Sequence, residues 1–194
     1  MKKAKKILTL VLSACLLVAI SIGATVAYLT STPDPVVNTF TVGKVEITLD
    51  EAEVDEYGDV NLDAEDRVTA NEYKLIPGHE YIKDPTIHVG EDSENCWVFV
   101  KVENGLADIE ATDNSIAVQI KAKGWTELDG VEGVYYKDNV AAKANLVVFE
   151  KFTLADNADV SAYADAEITI TGFAVQYDGV TSVTDAWDAV KPAA

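Results

Sequence analysis

Trp97 to Val102 reads WVFVKV, and its apolar side chains occupy both alternating faces as far as Lys101. Successive side chains of a strand point to opposite sides of its sheet, so this run predicts a central strand buried on both faces. Other stretches follow the period of a strand. Val45, Ile47 and Leu49 alternate with Lys44, Glu46 and Thr48, and Ile116, Val118 and Ile120 alternate with Ala117, Gln119 and Lys121. Val134 to Tyr136, Leu146 to Leu154 and Glu167 to Tyr177 add three more. Pro85 interrupts an extended stretch from Tyr81 to Val89, and a residue without a backbone donor places that stretch at a sheet edge.

Turns are expected at Tyr57-Gly58-Asp59 and at Pro77-Gly78, and Gly43 suits a bulge or turn. Near the end, Thr184 to Val190 has the pattern of a short helix, with Thr184 as its cap and Asp185 in the first turn. About eight strands and one helical turn predict an all-β fold, an antiparallel two-sheet jelly-roll sandwich with a short C-terminal helix, over residues 44–194. A length of 194 residues with 48% hydrophobic residues is enough for one core.

The first 27 residues have a different composition. Lys2, Lys3, Lys5 and Lys6 form a positive start, Ile7 to Ile20 an apolar run, and no acidic residue precedes Asp34. This is the build of a hydrophobic signal helix. Small residues at Thr25 and Ala27 suit the minus-three and minus-one pockets of a signal peptidase and predict cleavage before Tyr28. Retention of Ile7 to Ala27 as an anchor is the other reading, since that length spans ~30 Å of hydrocarbon. Leu12-Ser13-Ala14-Cys15 has the form of a lipobox, but the sequence beyond Cys15 stays apolar, which argues against acylation there.

Processing sharpens the chemistry of what remains. The formal charge of −18 becomes four units more negative without the leader lysines, which sets the product against nucleic acid and against anionic membranes. Cys96 is then the sole cysteine, so no internal disulfide is available. Residues 28–43 contain Pro33 and Pro35, so they read as an extended N-terminal arm or as a first strand, not as a central one.

Four stretches carry a resemblance to a known family: GATVAYLTST, NTFTVGKVEITLDE, LIPGHEYIKDPTIHVGEDSENCWVFVKV and YYKDNVAAKANLVVFEKFTL. In this order they resemble the TasA and camelysin (CalY) family of Gram-positive surface and biofilm-matrix proteins, exported with SipW-dependent signal peptides. The resemblance implies a secreted jelly-roll domain, located in the extracellular matrix or at the cell surface, that self-associates into fibres when an N-terminal segment completes a sheet in the next subunit. Carried onto this chain, the donor is Tyr28 to Phe40, with pairing concentrated at Val36, Val37, Asn38, Thr39 and Phe40. The competing reading makes the same segment the first strand of its own domain.

Chemistry of other kinds finds little footing. Camelysin-like proteins are described as metallopeptidases, yet no His-Glu-x-x-His occurs, and His79 and His88 are an odd spacing of nine apart. No nucleophile elbow or Gly-rich phosphate loop is present, so no catalytic residue is assigned and no enzyme is expected. Asp59-Val60-Asn61-Leu62-Asp63 opens like a calcium loop, but Ala64 and Ala70 stand where an EF-hand needs Gly and Glu. No cofactor is therefore expected, and calcium on Asp55, Asp59, Asn61 and Asp63 stays as the alternative to a solvated acidic loop. Exposure of Trp125, Tyr135 and Tyr136 would instead mark a monomeric, surface-displayed binding domain.

Overall fold

A computed structural model describes residues 43–60 and 67–192. The leader, with Thr25, Ala27 and Tyr28, the arm with Val36 to Phe40, and the loop residues Asn61 and Asp63 lie outside the described residues.

Ten strands and two short helices make up the described chain, in the order β1 (Ile47–Ala52), β2 (Arg67–Val68), β3 (Glu80–Ile82), β4 (Thr86–Val89), β5 (Cys96–Asn104), α1 (Ile116–Ala122), β6 (Thr126–Glu127), β7 (Val134–Val140), β8 (Asn145–Val147), β9 (Lys151–Thr153), β10 (Ile168–Gln176) and α2 (Val183–Val190). All strand pairs are antiparallel. One four-stranded sheet runs β2-β1-β4-β8 and another β10-β5-β7-β6, while β3 and β9 form a third, two-stranded sheet. The all-β expectation holds at this level, with one sheet more than the two foreseen.

β5 explains the arrangement. Cys96, Val98, Val100 and Val102 enter a core shared with Ile87 and Val89 of β4, whereas Trp97 and Phe99 enter a second core with Val134 and with Ala186 and Trp187 of α2. The strand is thus covered on both faces, as its two-sided apolar pattern requires. Phe99 and Val100 are fully buried, and burial of such a side chain is worth about 1.5–3 kcal/mol. Gly172, opposite Val100 in the register, lets β10 approach the first sheet: a Cβ there would stand 3.3 Å from Ile87 Cδ1.

Four expectations are corrected. Ile116 to Ala122 is a helix and not a strand: Ser115 caps it, accepting from Val118 N–H, and Ile116 and Ile120 lie one turn apart on a buried face while Val118 is 48% exposed. An i, i+2, i+4 series satisfies both periods at its ends, and only burial of the middle residue would have marked a strand. Leu146 to Leu154 does not form one strand but divides into β8 and β9, which join different sheets. β4 is an inner strand, because Pro85 sits just before it and takes no ladder position; its carbonyl accepts from Val148 N–H at 2.8 Å. The cap of α2 is Ser182, not Thr184: the Ser182 side chain accepts from Asp185 N–H at 3.1 Å and donates to Asp185 Oδ2 at 2.7 Å, which leaves Asp185 in the first turn as expected.

Candidate functional site

β10 ends its sheet, with β5 on one side and no partner strand on the other among the described residues. It is nine residues long, ITITGFAVQ, or about 30 Å of backbone. The margins formed by β2, β6 and β8 are only two or three residues each. Side chains of β10 alternate between the cores, Ile168, Ile170 and Ala174 toward the first and Phe173 and Val175 toward the second. The strand carries neither charge nor proline, two of the usual devices that blunt an open edge. Gly43 lies beside its far end, where a Cβ would come within 2.8 Å of Gln176 Oε1. Lys44 O accepts from Glu94 N–H at 2.9 Å and fixes the chain there.

A groove of about 880 Å³ opens alongside, lined by Leu49 and Glu51 of β1, by Ile168 and Ile170 of β10, and by Leu75, Leu106, Phe152 and Tyr163. Asp50, Glu72, Asp165 and Glu167 give it an acidic border. Glu51 and Lys83 also line it and are nearly buried, with Lys83 Nζ donating to Glu51 Oε2 at 2.5 Å. Asn71 donates to the other oxygen of the same carboxylate at 2.9 Å. Burial, with the charge of Glu51 close by, raises the pKa of Tyr73 above the ordinary phenol range.

On the outer side of the first sheet, Arg67 bonds to Asp50 and Asp84, and its Nη2 also reaches Asp84 O at 3.0 Å. His88 Nε2 meets Asp50 Oδ1 at 2.9 Å and its Nδ1 meets Asn145 Oδ1 at 2.6 Å. The bond to Asp50, then that to Asn145, holds the imidazole above its ordinary pKa. Partial burial pushes Asp50 up, but the bonds from Arg67 and His88 outweigh it and hold the carboxyl below its usual range.

Of the residues singled out from sequence, Asp55 accepts from Tyr57 N–H at 2.9 Å and Asp59 N–H at 3.0 Å, which closes the turn at Gly58. Its carboxylate is thereby used on the backbone. His79 Nε2 is bonded to Tyr57 O at 2.8 Å and its ring meets Tyr81 edge-on, whereas His88 is bonded to Asp50 and Asn145. Among the described residues no three His, Cys, Asp or Glu side chains converge as metal ligands. Trp125 and Tyr135 are buried, Trp125 Nε1 donating to Val147 O at 3.0 Å, and Tyr136 is half-buried against Trp97 and Phe99. These aromatics pack the core and provide no exposed binding face. Cys96 is fully buried, and burial raises its thiol pKa. The Glu51, Asn71 and Lys83 cluster was missed from sequence; its one legible trace is a lysine within the apolar stretch before Pro85.

The chain matches no family model, no curated protein and no solved structure.

Proposed function

We propose that this protein is a secreted, non-enzymatic structural subunit of a Gram-positive surface or biofilm matrix, as its resemblance to the TasA and camelysin family implies. The three-sheet domain is read as a jelly roll, released from its leader before Tyr28. It assembles head to tail, residues 28–42 of one subunit pairing through Val36 to Phe40 with the open edge of β10 in the next. The observation that carries this reading is the edge itself: nine residues without charge or proline, beside a groove lined by both apolar and acidic side chains. Unpaired backbone groups and a groove of this kind accept an extended segment, which gains main-chain hydrogen bonds and buries alternate side chains. A contact between two different surfaces does not close on itself, so it propagates as a filament.

Chain direction favours pairing between subunits. A segment ending at Gly43, beside Gln176, would run parallel to β10 if it folded back on its own domain, whereas a neighbour's segment is free to run antiparallel, the stronger arrangement. Electron microscopy of protein beginning at Tyr28, of protein beginning at Lys44 and of the Thr169→Lys variant tests the proposal. Filaments are expected from the first alone. Thr169 is an exposed β10 residue opposite Glu103, so lysine is accommodated there while charging the edge. Filaments from the Lys44 form, or none from the Tyr28 form at high concentration, would overturn the reading.

A further inference from the structure

Glu51, Asn71 and Lys83 come from three separate stretches of chain and meet at the wall of the groove. Glu51 and Lys83 are 4% and 7% exposed. Lys83 Nζ stands at 2.5 Å from one oxygen of Glu51, and Asn71 Nδ2 at 2.9 Å from the other, so an amine and a carboxamide are held on a single carboxylate. The carboxamide is fixed at every polar atom: Nδ2 also donates to Ala52 O at 2.9 Å, and Oδ1 accepts from Val54 N–H at 3.0 Å. The aromatic rings of Tyr73, Tyr81 and Phe152 pack against one another, and Nζ lies 5.9 Å from the Tyr73 ring centre.

An ion pair buried to this degree is a poor source of stability, because removing both charges from water costs about as much as their attraction returns. Its parts do match those of an acyl transfer: a nitrogen nucleophile, a carbonyl with a hydrogen-bond donor on its oxygen, and a carboxylate in contact with both nitrogens. We propose that Lys83 and Asn71 condense into an intramolecular isopeptide bond, with Glu51 as the proton carrier.

In the first step Nζ gives a proton to Glu51, which leaves a neutral amine beside a neutral acid. The Nζ lone pair attacks Asn71 Cγ, and the charge that develops on Oδ1 is met by Val54 N–H. Glu51 delivers its proton to Nδ2, the Cγ–Nδ2 bond breaks, and Glu51 then accepts the surplus proton from Nζ and passes it to the departing ammonia. Lysine ammonium and carboxamide thus become a secondary amide and an ammonium ion, with Glu51 restored as carboxylate and no oxidant or cofactor consumed. Glu51, Asn71 and Lys83 all line the groove, which gives the ammonium a way out. The bond ties the chain before β3 to the chain after it, in a product whose lone remaining cysteine excludes an internal disulfide.

Intact-mass spectrometry of the purified, secreted full-length product tests this directly, with the mature amino terminus read in the same experiment. The expected mass is one ammonia below the sequence value, and a protease digest yields a branched peptide joining Asn71 to Lys83. Lys83→Met, Asn71→Ala and Glu51→Gln should each restore the full mass. The wild-type measurement stands whether or not those variants fold. A wild-type mass equal to the sequence value, or an ammonia loss mapped to other residues, would overturn the proposal. Retention of the branched peptide in Glu51→Gln would overturn the role of Glu51.

Discussion

Gln119 of α1 grips Lys151 of β9 with both ends of its carboxamide, Nε2 donating to Lys151 O at 2.8 Å and Oε1 accepting from Lys151 N–H at 3.3 Å. The same side chain donates to Asn114 O and accepts from Glu150 N–H. A short helix is thereby joined to a strand by one buried amide that leaves none of its hydrogen-bonding capacity unused. Gln119→Ala would strand these backbone groups in the interior, and a loss of about 2–4 kcal/mol is expected from urea unfolding. Gln119→Glu should do no better, because a carboxylate oxygen would face the carbonyls of Asn114 and Lys151.

The His88 and Asp50 pair makes stability depend on pH in a defined direction. His88 is raised above 6.5 in the folded chain, so its contribution is fully present below that value and is lost as pH rises through the folded pKa. Asp50 is lowered below 3.8, and its contribution is present above that value and lost as pH falls through the folded pKa. Urea midpoints should therefore fall as pH rises from 6.5 through the folded pKa of His88. His88→Asn should remove most of that fall, and NMR titration of the imidazole should place its midpoint above the free value.

Cys96 is fully buried, with Sγ 3.7 Å from Val140 O, and its thiol pKa is raised by burial alone. Native protein should resist iodoacetamide at neutral pH, and labelling should appear only with global unfolding. Rapid labelling of the native protein would show that β5 opens locally, next to the Gln176 end of β10.

Gly58 has a φ of 79°, and a Cβ there would sit 2.8 Å from Tyr81 Cα. Gly58→Ala meets both a left-handed conformation and a backbone atom that cannot move aside, so a loss of about 2 kcal/mol or more is expected, read as a lower melting temperature.

A peptide covering residues 28–42, added to protein beginning at Lys44, should raise its melting temperature with increasing peptide concentration, by about 2.7 kcal/mol of stability at a hundredfold excess over Kd. A scrambled peptide of the same composition should not. The effect should disappear in Thr169→Lys, which changes the edge and leaves the cores intact.

How far residues could be read in advance depended on the range of the interactions that place them. β5, β10 and α2 were visible because periodicity along a single segment decides which faces need cover, and the turns at Gly58 and Gly78 because backbone conformation is a local property. α1 was read as a strand because Ile116 and Ile120 suit either period, and the deciding factors, exposure of Val118 and the anchoring of Gln119 to β9, lie across the fold. Sequence alone determined a lysine-rich start followed by an apolar run, an acidic β-rich chain and a strand buried on both sides. Tertiary structure decided which strand stands at a margin among the described residues and brought Glu51, Asn71 and Lys83 together, because strand order and the meeting of side chains 20 and 32 residues apart are set by packing, which no local pattern encodes.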